Sequence, residues 1–179
     1  MRLRAAGRRA AVAALAVTLL SGCAVADWHD LSFRTDDRLH FVTPKNRSKV
    51  QQPVKVAWTV HGFRVAAAGS EPPSRGAGYF VVFVDRTPVR PGQTLRAVAA
   101  GDPFCNRDPK CPDANYLEQH QIYVTTQTSM TLPQIANLVG DRNTVQLHTI
   151  TVVLMDTAGH RIGESAWELD LRIPKVGLG

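Results

Sequence analysis

The stretch QLHTITVVLMDTAGHRIGESAWELDLRI, residues 146–173, decides how the chain folds. It contains two apolar runs, 146–155 and 164–173, on either side of a turn sequence at 156–161. The turn sequence has a glycine where a left-handed residue is needed. In the second run apolar and polar residues alternate, which places one face against a core and the other in solvent. The stretch therefore predicts an antiparallel β-hairpin.

Upstream of the hairpin, further apolar segments have the length and patterning of strands. They are residues 39–43, 53–65, 78–85, 94–99 and 121–126, followed by the apolar pair Met130 and Leu132. Residues 53–65 alternate like a half-buried strand, whereas 78–85 are apolar almost throughout, like a central strand. Residues 133–138 are expected to form one helical turn or a tight crossover. About seven short strands with proline and glycine turns between them predict an all-β fold, an antiparallel β-sandwich.

The segment HTITVVLMDTAG, residues 148–159, resembles the penultimate strand and following turn of bacterial immunoglobulin-like domains. Residues 44–62 are similar to the first two strands of the same domains, and residues 82–85 to the third. Because the segments occur in the domain's order, the resemblance implies an immunoglobulin-like or fibronectin-like β-sandwich over residues 38–175. Residues 176–179 would then form a short C-terminal tail. The Cys-Trp-Cys arrangement of antibody domains is missing from the sequence.

The first 22 residues have the organisation of a signal peptide. Four arginines lie within the first nine residues, and an apolar run at 10–20 follows them. The run ends in LSGC, residues 20–23, which resembles the lipobox of bacterial lipoproteins. That resemblance implies cleavage before Cys23 and a diacylglyceryl group on its thiol. The apolar run is shorter than the roughly 20 residues that a membrane span needs. We therefore predict a signal peptide at 1–22 and a lipidated N-terminus and tether at 23–37.

This organisation predicts an extracytoplasmic protein that acyl chains hold at the membrane, on the outer face of the cytoplasmic membrane or elsewhere in the cell envelope. The formal net charge of +6 includes the four signal arginines, so the mature part carries 6 − 4 = +2. Nucleic-acid binding needs a concentrated basic face, and none is predicted. The expected partners are an envelope protein or a glycan, and the domain is expected to be a monomer.

Cys105 and Cys111 are expected to form a disulfide with each other, because Cys23 is assigned to the lipid and the envelope is oxidising. A metal-thiolate pair is the alternative. The spacing of the two cysteines is not the usual one for zinc, and no third ligand lies nearby in the sequence.

Two loops are candidates for ligand binding, because irregular loops on a stiff scaffold commonly carry the binding residues. One is residues 66–78, rich in Ala, Gly, Ser and Pro. The other is the irregular insertion at residues 100–117, which the disulfide braces and which departs from the immunoglobulin-like pattern. Its candidate binding residues are Phe104, Asn106 and Tyr116, with the two aromatic residues as anchors. The alternative, that both loops only connect strands, stays open.

Familiar catalytic motifs are missing from the sequence: there is no Gly-x-Ser-x-Gly, no glycine-rich phosphate loop and no His-Glu-x-x-His. We therefore predict a non-catalytic binding or structural module without a cofactor. An envelope protein that handles copper or zinc through imidazole ligands is the alternative. The histidines are His29, His40, His61, His120, His148 and His160. Because none pairs with another at metal-ligand spacing, no metal site is predicted. His148 is expected to make a backbone hydrogen bond near a strand entrance, and Asp85 to be a turn residue.

Overall fold

A computed structural model describes residues 36–176 of the chain. The predicted signal peptide, Cys23 and nearly all of the tether lie outside the described residues. The strands are β1 (Leu39–Thr43), β2 (Val54–Val60), β3 (Arg64–Val65), β4 (Ala77–Val84), β5 (Ile122–Thr125), β6 (Ser129–Leu132), β7 (Val145–Asp156) and β8 (Trp167–Pro174). Within residues 36–176, helix is confined to α1 (Ala114–Gln119) and two 3₁₀ helices, Leu95–Ala99 and Cys105–Arg107. The predicted all-β class is confirmed for this part of the chain. None of the helices within 36–176 has the length and apolar character needed to cross a membrane.

The strands of the described residues form two sheets. The smaller sheet has the antiparallel order β1-β2-β6. The larger sheet has the order β3-β4-β7-β8, and β5 also pairs with β4. The β3–β4 pairing is parallel, whereas β5, β7 and β8 pair antiparallel to their neighbours. The hairpin predicted from residues 146–173 is the β7–β8 pair, with Leu147 opposite Arg172 and Ile150 opposite Leu169.

Strand β4 is buried along its whole length, as predicted for a central strand. Phe80, Val82 and Val84 belong to the main core cluster, which contains apolar residues of both sheets. The intervening residues Tyr79 and Val81 belong to a second cluster on the outer face of the larger sheet. Because successive side chains of a strand point to opposite faces, one apolar strand needs cover on both sides. The smaller sheet covers one side of β4, and part of the chain between β4 and β5 covers the other.

The chain between β4 and β5 provides the cover for the outer face. The prediction of a strand at 94–99 is wrong, because Leu95–Ala99 form a 3₁₀ helix. Leu95 and Val98, three residues apart, pack against the second cluster, and this spacing suits one side of a helical turn. Leu117 of α1 is buried in the same cluster.

Residues 133–138 form a crossover without helix between the two sheets. Two glutamine side chains hold it. Gln52 accepts a hydrogen bond from the backbone N–H of Ile135 (2.8 Å) and donates to its carbonyl oxygen (3.2 Å). Gln146 does the same for Leu138, at 3.0 and 3.2 Å. The glutamines thus supply backbone partners that a strand neighbour would otherwise provide.

Candidate functional site

The disulfide loop, residues 102–111, is fastened at several points to the residues that cover the outer face of the larger sheet. Cys105 and Cys111 form the predicted disulfide, with their Cα atoms 5.0 Å apart, and Cys105 is buried. The guanidinium of Arg96, on the first 3₁₀ helix, donates hydrogen bonds to the carbonyl oxygens of Pro109 (3.2 Å) and Cys111 (3.5 Å). The first 3₁₀ helix packs on the second cluster, which is the outer cluster of the larger sheet. The loop is therefore braced against the sheet rather than tethered only at its ends.

Asp102 fixes the backbone that carries Phe104. Its Oδ1 atom accepts hydrogen bonds from the backbone N–H groups of Phe104 (2.8 Å) and Cys105 (3.3 Å). The N–H of Phe104 is the largest cause that holds the pKa of the Asp102 carboxyl below its usual range, and the N–H of Cys105, the Tyr116 hydroxyl and His120 lower it further. Asp102 is therefore ionised at neutral pH and fixes the loop in place.

Helix α1 positions two aromatic rings on the other side of the loop. Its N-cap residue Asp113 accepts a hydrogen bond from the backbone N–H of Tyr116 (2.8 Å), and buried Leu117 anchors the helix to the sheet. Tyr116 and His120 are four residues apart and so lie on one side of the helix. Their rings stack with centroids 4.0 Å apart and an interplanar angle of 20°. His120 Nδ1 is also 2.7 Å from the carbonyl oxygen of Tyr116.

An open cleft of ≈ 390 Å³ lies between the disulfide loop and α1. Phe104, Tyr116 and His120 line it, together with the carboxylates of Asp102 and Asp108. Phe104 is 82% exposed, whereas the Tyr116–His120 pair is half-buried. The structure thus brings two of the three predicted binding residues to one cleft.

The third predicted binding residue, Asn106, is exposed on the second 3₁₀ helix and does not line the cleft. Three residues that give the cleft its chemistry, Asp102, Asp108 and His120, are not among the predicted binding residues. A usable signal for His120 was present in the sequence: it lies four residues after Tyr116, in a short segment that follows the capping residue Asp113.

The other predicted binding loop, residues 66–78, lies against the turn after β7. The backbone N–H of Gly69 donates to the carbonyl oxygen of Thr157 (2.7 Å). The Thr157 hydroxyl in turn donates to the carbonyl oxygen of Glu71 (2.8 Å), and Glu71 forms an ion pair with Arg64. These contacts give the loop a structural attachment to the hairpin.

His148 does not make the expected backbone hydrogen bond. Its ring is buried, and its Nδ1 atom lies 2.6 Å from Oδ2 of Asp85. The other carboxylate oxygen of Asp85 accepts a hydrogen bond from the backbone N–H of Thr149 (2.9 Å). Asp85 directly follows β4 and, as predicted, has a turn conformation, with φ at +54°. The pair therefore joins the end of β4 to β7.

The five histidines in the described part of the chain do not assemble into a metal centre. The rings of His40 and His61 are neighbours on β1 and after β2, with centroids 6.5 Å apart, and both side chains are exposed. Among residues 36–176, no three His, Cys, Asp or Glu side chains come close enough together to hold a metal ion. His29 lies outside the described residues.

The cleft of the disulfide loop has a defined chemistry. Aromatic rings offer flat apolar faces, and carboxylates accept hydrogen bonds from hydroxyl groups. The arrangement suits a ligand with an apolar face and several hydroxyls.

Comparison of the chain with protein-family models, with curated proteins and with solved structures finds no match.

Proposed function

We propose that the chain is a lipid-anchored lipoprotein of the bacterial cell envelope whose β domain is a non-catalytic binding module. Signal peptidase cleavage would remove residues 1–22 and leave Cys23 as the acylated N-terminus. The disulfide loop would bind a glycan of the envelope. The observation that carries the binding proposal is the exposure of Phe104, 82%, on a loop that is braced against the sheet.

An exposed phenylalanine on a rigid loop favours recognition over a connecting role. Burial of a Phe side chain stabilises a fold by about 1.5–3 kcal/mol, and Phe104 forgoes this contribution. Its backbone is nevertheless held by Asp102 and by the adjacent disulfide. A ring presented in a fixed position loses little freedom on binding, so the loop is preorganised for a partner.

A glycan fits the cleft better than a protein surface does. The stacked rings of Tyr116 and His120 and the ring of Phe104 offer faces for a sugar ring, which is apolar on the sides that carry axial C–H groups. The carboxylates of Asp102 and Asp108 can accept hydrogen bonds from sugar hydroxyls.

The strand order supports an immunoglobulin-like sandwich for the β domain. In that class, strands A, B and E lie in one sheet and C, F and G in the other. The order β1-β2-β6 corresponds to A, B and E, and β4-β7-β8 corresponds to C, F and G. Strand β5 pairs with β4 in the position of a C′ strand. The insertion between β4 and β5 is the departure from this plan.

Metabolic labelling tests the anchor. The full chain is expressed in a bacterial host that is fed an alkyne analogue of palmitate, and membranes are separated from soluble fractions. We expect a labelled, shortened product in the membranes, and neither label nor cleavage for Cys23→Ser. Label on the Cys23→Ser variant, or an unlabelled wild-type chain, would contradict lipidation at this cysteine.

Binding to envelope polysaccharides tests the loop. The full chain in non-ionic detergent is applied to an array of envelope glycans, and Phe104→Ala is compared with wild type. Loss of one buried ring contact predicts affinity weaker by about tenfold or more. Val139→Ala is the matched control, because Val139 is fully exposed and does not line the cleft. Equal binding by wild type and Phe104→Ala, or capture of an envelope protein without any glycan, would overturn the proposal.

A further inference from the structure

Part of the outer face of the larger sheet is not covered by the insertion. Near the start of β7 and the end of β8, Leu147 pairs with Arg172, and Arg172 forms a parallel bridge with Lys49. Paired residues on neighbouring strands point to the same face. Leu147, Arg172 and Lys49 therefore stand in one row, and all three are exposed.

The two cations of this row are held side by side. The backbone N–H of Val50 donates to the carbonyl oxygen of Arg172 (3.0 Å), and the N–H of Arg172 donates to that of Ser48 (2.9 Å). Neighbouring strands lie about 4.8 Å apart, so the bases of the two side chains are close. Like charges directly opposite each other destabilise a sheet. Among residues 36–176, neither Lys49 nor Arg172 has a carboxylate within ion-pair distance.

Arg47 brings a third cation to the same place. Its φ of +60° lies in the left-handed region, which residues with a side chain rarely adopt. A hydrogen bond from its N–H to the carbonyl oxygen of Asp170 (2.6 Å) holds it there. The side chain is 73% exposed, and its Nε atom is 3.8 Å from the Asp170 carboxylate, which also accepts a hydrogen bond from the Thr149 hydroxyl (3.0 Å).

The row borders an open cleft of ≈ 650 Å³ whose lining includes Arg47, Lys49 and Arg172. The apolar side chains of Val145 and Leu147 line it as well. One carboxylate in the lining, that of Asp141, opposes these three cations, and its Oδ1 atom accepts hydrogen bonds from the backbone and side-chain amides of Asn143, both at 2.8 Å. Positive charge thus exceeds negative charge in the cleft, and an apolar surface lies beside it.

We propose that this cleft binds a phosphate ester. Lys49 and Arg172 donate hydrogen bonds to the phosphate oxygens, for which the planar guanidinium provides a two-pronged contact. Leu147 contacts the carbon chain that the phosphate esterifies. An anion placed between the two cations also relieves their mutual repulsion. The site depends neither on the lipid anchor nor on the disulfide loop, and it recognises the same group in a phospholipid head group and in a phosphate-bearing envelope polymer.

Calorimetric titration with glycerol 3-phosphate tests the site on the full chain in non-ionic detergent. We expect saturable binding to wild type, and affinity weaker by about tenfold or more for the double variant Lys49→Gln, Arg172→Gln. Lys55→Gln is the matched control, because Lys55 is an exposed lysine on β2, in the other sheet. It should bind as wild type does. No saturable binding to wild type, or equal affinity of the double variant, would overturn the proposal.

Melting temperatures provide a second readout that a purely structural pair would not give. Without ligand, the double variant should melt at a higher temperature than wild type, because the repulsion between the cations is removed. Glycerol 3-phosphate should raise the melting temperature of wild type only. Repeating the titration in micelles doped with phosphatidylglycerol or phosphatidylcholine distinguishes the source. Competition by phosphatidylglycerol alone indicates a lipid head group, and undiminished binding indicates a polymer ester. In the melting experiment, equal stabilisation of wild type and the double variant by glycerol 3-phosphate would refute the site.

Discussion

Replacement of Arg161 by methionine should destabilise the β domain strongly. The guanidinium is buried, and it donates hydrogen bonds to the carbonyl oxygens of Val89 (2.5 Å), Glu164 (2.8 Å) and Ser165 (3.1 Å). Burial lowers the pKa of Arg161, which remains charged. Because Val89 begins the chain that covers the outer face, Arg161 fastens this cover to the connection between β7 and β8.

The expected loss of folding stability follows from the three carbonyl groups that Arg161 binds. A hydrogen bond to a charged group contributes about 1.5–3 kcal/mol, and part of that sum offsets the cost of burying the guanidinium. Its Nε atom, which is buried without a partner among the described residues, adds to that cost. Methionine fills much of the volume but leaves the carbonyls unpaired, so we expect a loss of about 3–5 kcal/mol. At about 2–4 °C per kcal/mol, the melting temperature should fall by roughly 6–20 °C.

Differential scanning calorimetry of the full chain measures this loss. Arg75→Met is the matched control, since Arg75 is exposed and its side chain makes no hydrogen bond within residues 36–176. Arg161→Lys should fall between the two, because one ammonium group keeps the charge but cannot reach all three carbonyls. A loss below about 1 kcal/mol for Arg161→Met, or a loss equal to that of the control, would refute the reasoning.

Two further predictions concern a glycine of β4 and the acid of the disulfide loop. Gly78 has φ at +153°, and an added Cβ would overlap the Met155 carbonyl oxygen. Gly78→Ala should therefore lower the free energy of unfolding, measured by urea denaturation, by about 3 kcal/mol. Gly76→Ala, with open space around it, should cost far less, and equal losses would contradict this account. The lowered pKa of Asp102 means that its support of the loop is complete above the usual value of 3.8 and is lost as the pH falls through the lower folded value. The protection of the Phe104 amide against hydrogen exchange, taken relative to the intrinsic rate at each pH, should therefore fall with a midpoint below pH 3.8, and a midpoint at or above it would exclude the hydrogen bonds as the cause.

The strands that the sequence predicted are those whose burial follows from their own alternation. In β2, Val54, Val56 and Trp58 are buried while Lys55 and Thr59 are exposed, as expected from period two. The bounds of β1 agree with the prediction because a proline follows it directly. Alternation along a strand is therefore enough to predict which residues are buried, wherever burial depends on neighbours in the same strand.

Residues 94–99 show where the local rule fails. A short apolar run fits a strand or a helical turn equally well. The choice depends on what the run covers: here it packs as a 3₁₀ helix on the outer cluster of the larger sheet, a surface formed by distant strands. The contacts of Asp85 with His148 and of Arg161 with Val89 could not be predicted for the same reason. The two residues of each contact are 63 and 72 residues apart, respectively, so no short-range spacing in the sequence indicates that they meet.

The candidate site was predicted in part for a related reason. Phe104 and Tyr116 were identified as aromatic residues in an irregular loop, which is a property of composition. Asp102 and His120 join them through a backbone turn and a short helix, which are properties of local geometry. The row of Lys49 and Arg172 could not be predicted at all, because the pairing of residues 48–50 with β8 brings together parts of the chain more than a hundred residues apart.

The apolar outer face of β4 accounts for the packing of the chain between β4 and β5, but Phe104 takes no part in that packing. The outward residues of β4 are apolar and need cover, whereas β8 is polar on that face and needs none. The cover is supplied from Leu95, Val98 and Leu117, which pack on the outer cluster. Phe104 lies in the same connection between β4 and β5 but is absent from that cluster and exposed, so the fold gains little from its ring. Because the fold does not use this ring, Phe104 is the residue on which the proposed glycan binding can be tested without disturbing the core.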